Sequence, residues 1–568
     1  MTKIVKSIFF GFMLCALCAA RAQTVNAKSC NTSDVQTAIN TATEGQTVTI
    51  PAGSCTWTNG VTISGKGITV TGAGSSRVIA YSSNTLSLGT GSKSLTIAPT
   101  RVDGTYPLGP STGQTLTVGE LGNEQNYMTG TVTSFNSGTG ALVMNITSDA
   151  GTCGTPAYPN SSPSNCARWI VWTDPSTATV ITGNSETNPL FTITEDTSVH
   201  TNISEIQFAP GATYQNQIFS LQYHSGGQAI LIHDLRITGN PNLDGNPNGV
   251  RDMILSDTNR GIIWNCSFDG YAFNLSTMAS LTVKDAGNVT GNSWTSVSNM
   301  GSLDTTGQGE LFMETNDFEA FGFAIGIDDN GRIVSRYNFL DNAGLMATHG
   351  ADTSNYGQRF FEVYNNIDVF NAYSNGTTFN INDWIYLRGG TGLVYNNTIP
   401  ALISSDYGTK PDINMTVMNL QRNGGPDACW GAGHSSPSGQ NYHAPRQVGF
   451  GYVTGTGTAS YTGTSPNPVY TVNGANDSIT YVGDSEPFYI WGNTRSPLNV
   501  SISDYGSGGG CTNYDSSSNY IVANRDYFNG STAKPGWSPY TYPNPLEGGG
   551  ATSSNTPAAP TNLQATHN

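Results

Sequence analysis

The segments VYNNI (residues 363–367) and VYNNTI (394–399) repeat one short motif. Related segments precede them along the middle of the chain: ISEIQF (203–208), ILIHDLRI (230–237), IWNCSF (263–268), VTGNSW (289–294), METNDF (313–318) and VSRYNF (334–339). Each begins with an aliphatic residue or methionine and ends with phenylalanine, tryptophan or isoleucine. Their last residues are 29, 31, 26, 24, 21, 28 and 32 positions apart, so the motif recurs at a similar interval throughout.

The repeated unit has the composition of a short β-strand between turns. It lacks the 3.6-residue hydrophobic period that a helical repeat of this length would show. Gly, Asn, Asp and Ser, which favour turns, flank the units. A strand that recurs at such intervals and stacks on its neighbour is typical of a parallel β-helix. The sequence therefore predicts an all-β chain that forms a parallel β-helix, a solenoid of stacked coils.

The fourth position of the motif is predicted to point into the solenoid. Apolar residues at one end of this column indicate the inward direction, and stacked asparagine amides can hydrogen-bond along it. Cys266 lies in the column, which favours a small apolar filler over a reactive thiol. In chain order the column consists of Ile206, Leu235, Cys266, Asn292, Asn316, Tyr337, Asn366 and Asn397.

The segment DVQTAINTATEGQTVTIPAG (34–53) predicts an amphipathic helix, then a strand and a turn. We expect Ser33 or Asp34 to cap the helix at its N-terminus. Such a helix would cover the open end of the solenoid. Its apolar face consists of Val35, Ala38 and Ile39.

Followed by GITVTGAG (67–74), this opening resembles that of right-handed parallel β-helix proteins of the pectate-lyase-like superfamily. With the coils up to residue 400, the resemblance covers about half of the chain. It implies a right-handed solenoid. The superfamily includes polysaccharide lyases, glycoside hydrolases, esterases, phage tailspikes and non-catalytic adhesins, so the resemblance implies contact with polysaccharide rather than one activity.

The chain divides into six predicted parts. Lys3 and Lys6 precede an apolar run and the small-x-small site Ala20–Ala22, which indicates a secretory signal peptide and hence an exported protein. The segment NYMTGTVTSFNSGTGALVMNIT (126–147) predicts a hairpin around NSGTG. The parts are a signal peptide (1–22), a cap with the first coils (23–100), an inserted β-module (101–180), the main coils (181–400), an aromatic and turn-rich segment (401–546) and a flexible linker tail (547–568).

Aromatic residues of the segment 401–546 allow two interpretations. They could line a sugar-binding surface, or they could fasten a terminal segment onto the solenoid, which is the favoured alternative. These residues are Trp491, Tyr527, Trp537, Tyr540 and Tyr542.

Charge and cysteine content narrow the classes of function. The formal net charge is −16, and loss of Lys3, Lys6 and Arg21 with the signal peptide makes it −19, which argues against nucleic acid as a partner. No later segment is apolar enough to insert into a membrane. Export permits disulfides. Sequence proximity suggests the pairs Cys30–Cys55 and Cys153–Cys166, with Cys429–Cys511 by elimination, although sequence does not fix the connectivity.

Residues one coil apart become neighbours in a solenoid, so we searched for polar residues separated by about one coil. Asp328 and Asp329 are followed by His349 and Arg359, and Arg388 follows Arg359 by 29 positions. We predict these five as catalytic. Four arginines fall between residues 332 and 388, and such a positive cluster on an acidic chain favours binding of an acidic polysaccharide. The residues predicted to bind the substrate are Arg332, Arg336, Asp352 and Glu362.

Two reaction types agree with this set. A uronate lyase needs a base, for which Arg388 or His349 is available, and a group that neutralises the substrate carboxylate. In pectate-lyase-like families that group is often calcium, so the resemblance makes calcium at Asp328, Asp329 and Glu362 possible, although no cofactor is certain. A hydrolase needs paired carboxylates instead.

The hydrolase alternative rests on a partial resemblance to polygalacturonase-type hydrolases. Asp328-Asp329 and Thr348-His349-Gly350 are similar to the paired aspartate and Gly-His-Gly of those enzymes, but their Arg-x-Lys segment is missing. The rival functions are a non-catalytic glycan-binding or adhesin-type protein and a purely structural solenoid. In the structural alternative, Asp329-Asn330-Gly331 is a turn and Arg359 pairs with Glu362 on the solvated surface.

Overall fold

The chain is mostly β-structure. The computed structural model describes residues 24–101, 104–106, 109–120, 123–153, 165–174, 177–184, 189–194, 199–210, 218–222, 229–238, 252–256, 261–269, 279–283, 310–319, 324–327, 331–341, 344–348, 360–369, 383–388, 391–399, 414–418, 448–449, 487–494, 498, 500–502 and 523–549. These residues form one α-helix, Thr32–Thr41, one 3-10 helix, Pro545–Gly549, and strands in three parallel sheets and one antiparallel sheet. The predictions of an all-β chain and of parallel strand pairing are therefore confirmed.

The three parallel sheets are numbered in the order in which the chain enters them. The first comprises Thr24–Asn26, Thr47–Thr49, Thr69–Thr71, Thr201–Ser204, Ile230–His233, Gly261–Trp264, Leu311–Glu314, Arg332–Arg336, Phe360–Tyr364, Thr391–Tyr395, Phe488–Trp491 and Tyr527–Gly530. The second comprises Gly53–Trp57, Thr179–Gly183, Gln207–Pro210, Arg236–Thr238, Ser267–Asp269, Asp317–Glu319, Phe339–Asp341 and Ile367–Val369. The third comprises Val61–Ser64, Phe191–Thr194, Phe219–Gln222, Asp252–Ser256, Ala279–Val283, Ile325–Ile327, Met346–Thr348, Asp383–Arg388, Asn414–Met418 and Val500–Ile502.

The chain passes through the three sheets in a fixed order. Thr201–Ser204, Gln207–Pro210 and Phe219–Gln222 form one such passage, which we call a rung, and the next rung starts again in the first sheet. Neighbouring rungs pair in parallel, as Ile203 does with Ile232. Equivalent residues of successive rungs therefore lie about 4.8 Å apart.

The inward side chains of the three sheets form one continuous apolar core. Phe191, Phe208 and Phe219 are fully buried there, with ring centroids 5.3 to 5.8 Å apart. Burial of each such side chain stabilises the fold by roughly 1.5–3 kcal/mol. The core is therefore the main source of stability along the stack.

The predicted N-terminal helix packs on this core through the predicted face. Val35, Ala38 and Ile39 are all buried. The predicted cap is wrong, because the helix begins at Thr32 and its N-cap residue is Asn31. Asp34 instead accepts a hydrogen bond from Ser29 Oγ at 2.5 Å, which fixes the carboxylate near the positive end of the helix.

An asparagine column runs through the buried corner between the first and second sheets. From the second member onward, each Oδ1 accepts both the backbone N–H and the side-chain amide of the asparagine one rung earlier, at 2.9 to 3.1 Å. The column satisfies backbone groups that the corner removes from the sheets. Its members are Asn316, Asn338, Asn366, Asn397 and Asn493.

The predicted column is wrong at Tyr337 and incomplete at its end. Ser335 pairs with Met313, so the repeated unit starts one residue later than predicted and Asn338 takes the inward place. Asn493 was not predicted, and Asn292 lies outside the described residues. Cys266 is buried as predicted, with a free thiol, and its backbone N–H donates to Asn316 Oδ1 at 3.0 Å.

The residue before each column position has a left-handed backbone conformation. Its φ lies between 51° and 64° on eight rungs. On the first seven of these rungs, its N–H donates to a carbonyl of the next rung at 3.1 to 3.4 Å, so the backbone itself closes the corner. These residues are Glu205, Asp234, Asn265, Thr315, Tyr337, Asn365, Asn396 and Gly492.

The antiparallel sheet covers the outer side of the second sheet. The Arg236 guanidinium lies 4.8 Å from the Trp172 ring, and Tyr81 stacks on Phe339 at 5.1 Å. The predicted hairpin around NSGTG is present. The antiparallel sheet extends from Val78 to Thr173, whereas the sequence predicted a module at 101–180. Its strands are Val78–Leu86, Gly91–Thr96, Ala98–Pro99, Thr115–Glu120, Asn123–Asn136, Ala141–Ala150 and Cys166–Thr173.

Residues 531–549, which we call the strap, fold back over the outer side of the first sheet. From the last strand they run towards earlier rungs, so that Trp537 lies near Tyr395, and Tyr540 packs against Phe312 with ring centroids 5.3 Å apart. Tyr540 is only 5% exposed. The interpretation of the C-terminal aromatics as packing residues is therefore confirmed at this position.

Two of the three predicted disulfides are present, namely Cys30–Cys55 and Cys153–Cys166. Cys429 and Cys511 lie outside the described residues, as does the predicted signal peptide. In the described part of the chain, no helix has both the length and the apolar character needed to cross a bilayer.

Candidate functional site

The residues predicted to carry catalysis belong to the connections that lead from the third sheet back to the first. Asp328 directly follows the strand Ile325–Ile327, and His349 directly follows Met346–Thr348. Arg388 ends the next strand of the same sheet, and its backbone pairs with Met418. Five predicted residues lie outside the described part of the chain: Asp328, Asp329, His349, Asp352 and Arg359.

The strands that lead to these positions are in strict register. Ile327 pairs with Thr348, and Met346 pairs with Ile385. Arg388 follows Ile385 by three residues. The register thus aligns the strands Ile325–Ile327, Met346–Thr348 and Asp383–Arg388 on three successive rungs of the third sheet.

The phase of the third sheet is also defined by its buried residues. Ile325, Ile327, Ile385 and Leu387 all belong to the apolar core. Successive residues of a strand point to opposite faces. These four residues therefore define the inward phase of the strands Ile325–Ile327 and Asp383–Arg388.

Arg336, predicted to bind substrate, is fully buried between the first sheet and the strap. Its Nη2 lies 2.7 Å from Glu314 Oε2, and its Nε donates to the same oxygen at 2.9 Å. Nη1 donates to the Tyr364 hydroxyl at 2.6 Å and to the Tyr540 carbonyl at 3.0 Å, and Nη2 donates to the Thr541 carbonyl at 2.8 Å. All five N–H groups of the guanidinium are thus used within the protein.

Glu362, also predicted to bind substrate, is fully buried one rung further along. Its Oε1 accepts a hydrogen bond from the Tyr395 hydroxyl at 2.7 Å, whereas its Oε2 has no partner among the described residues. Burial raises the pKa of Glu362 to about 8, against a smaller opposing effect of the Tyr395 hydrogen bond and of Arg336. The alternative of a solvated Arg359–Glu362 surface pair is therefore wrong at Glu362.

Arg332 lies on the same strand as Arg336, and only 8% of it is exposed. Its backbone pairs with Phe360 of the next rung. The structure thus places Arg332, Arg336 and Glu362 on two neighbouring strands of the first sheet, where all three side chains are buried rather than in an open groove.

The end of the strap completes this buried cluster. The Asn544 N–H donates to Glu314 Oε1 at 3.1 Å. Burial, and next the nearby Glu314 charge, raise the pKa of Glu547 well above its usual range. Glu314 therefore binds Arg336 on one side and the backbone of the strap on the other.

Calcium is not favoured at Glu362. A carboxyl group binds calcium in its ionised form, and the surroundings of Glu362 favour its neutral form. Within the described ranges, no group of three or more acidic, histidine or cysteine side chains has metal-binding geometry. Calcium at Asp328 and Asp329 stays a prediction.

Sequence reasoning missed Glu314, Tyr395 and Glu547. Glu314 was detectable. It is the second residue of METNDF, and Arg336 takes the same place in its own repeat once the register is corrected, so the opposite charges predict a pair. Glu547 gave no local signal, since it is 233 positions away from Glu314.

Comparison with known proteins gives distant similarities only. No family model matches the sequence, and no curated protein matches it. A solved structure titled "Glycoside hydrolase" is 9% identical, with 69% of this chain and 87% of that chain covered and a TM-score of 0.26. The tailspike protein gp49 from Pseudomonas phage LKA1 is 10% identical, with 68% of each chain covered and a TM-score of 0.16. At such TM-scores neither similarity supports an assignment of fold or activity.

Proposed function

We propose that this protein is an exported right-handed parallel β-helix that cleaves an acidic polysaccharide, as a lyase or a glycoside hydrolase. The observation that carries the proposal is the register of the third sheet, in which Ile327 pairs with Thr348 and Met346 with Ile385. The two disulfides support export, because such bonds persist in oxidising compartments.

In this proposal Asp328, His349 and Arg388 form a row on the outer side of the third sheet. The shared phase of their strands favours side chains on one face, and rung spacing separates neighbours by about 4.8 Å. Such a row matches the distance between the groups that flank one glycosidic linkage. Asp329 and Arg359 lie in the same two connections and would complete the row.

The chemistry follows from the residue types. Arg388 and Arg359 would bind the substrate carboxylate, since a planar guanidinium matches carboxylate geometry. His349 would move the proton, as a base in a lyase or beside Asp328 in a hydrolase. Asp352, in the connection after His349, would contact a neighbouring sugar. Arg332 is only 8% exposed and is not part of this row. Arg336 and Glu362 are engaged with the strap and are not part of this row.

The test is a product assay with the full chain on polyuronates and neutral glycans, with and without calcium. Ultraviolet absorbance detects unsaturated lyase products, and reducing ends without that absorbance indicate hydrolysis. We expect His349→Ala to lower kcat/KM by about a hundredfold or more, since a positioned proton-transfer group contributes that much. Asp149→Asn is the control, because Asp149 is an exposed carboxylate on the antiparallel sheet. Full activity of both His349→Ala and Arg388→Ala would refute the proposed row.

A glycan-binding protein without activity is the second candidate. Tyr489 and Phe528 stack at 4.9 Å on the last two strands of the first sheet, and both are only partly buried. Aromatic rings of this kind bind sugar faces. Binding to a glycan without any product, lost in Tyr489→Ala and kept in His349→Ala, would favour this candidate over the enzyme.

A further inference from the structure

A cluster of charged side chains lies where the antiparallel sheet begins, at the corner between the first and second sheets. Arg77 directly precedes the strand Val78–Leu86, and its Nη1 donates a hydrogen bond to Asp234 Oδ1. Its Nη2 lies 3.9 Å from Glu205 Oε1. Glu205 and Asp234 hold the left-handed corner position on neighbouring rungs. One guanidinium therefore joins the antiparallel sheet to two rungs.

Asp234 also orients the imidazole of His233. His233 Nδ1 lies 2.7 Å from Asp234 Oδ2, and the ring stacks on Trp264 with centroids 4.2 Å apart. Burial alone would raise the pKa of Asp234, but the hydrogen bond from His233 and the Arg77 charge outweigh this effect and lower the pKa. An ionised carboxylate only accepts hydrogen bonds. Nδ1 therefore carries the proton of the neutral imidazole, and Nε2 is left as an acceptor.

Two polar atoms of this cluster are buried without a hydrogen bond to any described residue, namely His233 Nε2 and Arg77 Nε. Such atoms are unfavourable, so both would gain from a bound group. The exposed fraction of the side chain falls from 33% at Glu205 to 17% at Asp234 and 16% at Arg77, and then to 8% at His233. The cluster thus opens to solvent at Glu205 and is deepest at His233.

The charges of the cluster favour a neutral ligand. Arg77 lies beside the two carboxylates, and the Arg101 guanidinium donates to Asn265 Oδ1 at 3.0 Å on the next rung. An anion bound here would be repelled by the carboxylates, and a cation would be repelled by the guanidinium groups. Arg77 Nε can only donate, whereas His233 Nε2 accepts. A hydroxyl is the small neutral group that can both accept from one and donate to the other.

We propose that this cluster is a binding site for a neutral sugar, whose hydroxyl groups donate to His233 Nε2 and accept from Arg77 Nε. A sugar ring carries several hydroxyls, which suits two atoms on different sides of the Asp234 carboxylate. Glu205, at the rim, accepts a further hydroxyl. None of the residues predicted as catalytic belongs to the cluster, so this site does not depend on the proposed cleavage of polysaccharide.

Titration calorimetry on the full chain measures binding. The probes are D-galactose and D-glucose, with D-galacturonic acid and D-glucuronic acid as their charged counterparts. We expect binding of a hexose, and we expect its uronic acid to bind at least about tenfold more weakly, because the added carboxylate would lie near Glu205 and Asp234.

Two variants test the named residues. His233→Phe keeps an aromatic ring on Trp264 and removes Nε2, so it should weaken hexose binding about five- to tenfold. Glu205→Ala changes only the rim and should weaken binding about threefold, which keeps the site testable if His233→Phe does not fold. His200→Phe is the matched control and should bind as the wild type does. His200 lies outside the cluster, with its Nδ1 at 3.0 Å from the Ala229 carbonyl.

Nitrogen NMR of the wild type, isotope-labelled at its histidines, gives a second measurement. Hexose binding should shift the Nε2 resonance of one histidine, and that resonance should be present in His200→Phe and absent from His233→Phe. Three results would overturn the site: no histidine Nε2 resonance that moves with either hexose, equal hexose affinity in the wild type and both cluster variants, or tighter binding of a uronic acid than of its hexose.

Discussion

Removal of Asn366, the middle residue of the asparagine column, should destabilise the fold. Its Oδ1 accepts the Asn338 backbone N–H at 2.9 Å and the Asn338 amide at 3.1 Å. Its Nδ2 donates to the Ser335 carbonyl and to Asn397 Oδ1, each at 3.0 Å. Asn366→Ala therefore leaves two buried backbone groups without this partner and shortens the column on both sides.

Each buried polar group left unpaired costs about 1–3 kcal/mol, so we expect Asn366→Ala to lower the free energy of unfolding by about 4 kcal/mol. Urea unfolding followed by circular dichroism and by tryptophan fluorescence measures it, and coincident transitions justify a single free energy. Asn365→Gly is the matched control, because Asn365 is the neighbouring asparagine at φ 53° and glycine accepts that conformation. The control should change stability by less than about 0.5 kcal/mol. A loss below about 1 kcal/mol for Asn366→Ala would refute the reasoning that the column satisfies the corner.

Three further substitutions probe the cluster, a corner and a disulfide. Arg336→Met leaves the buried Glu314 carboxylate without its charged partner, so it should lower the free energy of unfolding by about 3–5 kcal/mol, measured by thermal or urea unfolding. Adding Glu314→Leu to this variant should recover part of that loss. Gly492→Ala should cost about 1–2 kcal/mol by urea unfolding, because φ is 64° and the added Cβ would lie 2.2 Å from Asn396 Oδ1; an unchanged midpoint would contradict the strain. Replacing Cys30 and Cys55 by serine opens a link of 25 residues and should cost about 3 kcal/mol, measured against the oxidised wild type.

The sequence predicted the parallel strands because the first sheet and the corner share one short motif. Val363-Tyr364-Asn365-Asn366 and its copy at 394–397 contain the last strand residues, the left-handed residue and the column asparagine in one piece. The prediction shifted by one residue at Tyr337, where an aromatic residue takes the left-handed position in place of asparagine. An apolar start and an aromatic end do not distinguish these two registers.

Coverage of the outer faces could not be predicted in this way. An outward position on a strand is expected to be solvated or to bind a ligand, but the strap arrives from residues 531–549 and covers Arg336, which is fully buried. Sequence distance hides such contacts, since Glu314 and Asn544 are 230 positions apart. The residue set at the third sheet stays a prediction.

The strap also constrains how the length of this protein can change. It contacts Tyr395 through Trp537 and reaches Glu314 through Asn544, so the eight residues 537–544 span four successive rungs, roughly 14 Å along the stack. Insertion or deletion of one whole rung between Glu314 and Tyr395 would misalign every anchor at once. A rung added before Thr201 would leave all of them in place. Variation in length among related chains should therefore fall on rungs that precede those covered by the strap. The covered rungs should stay constant in number.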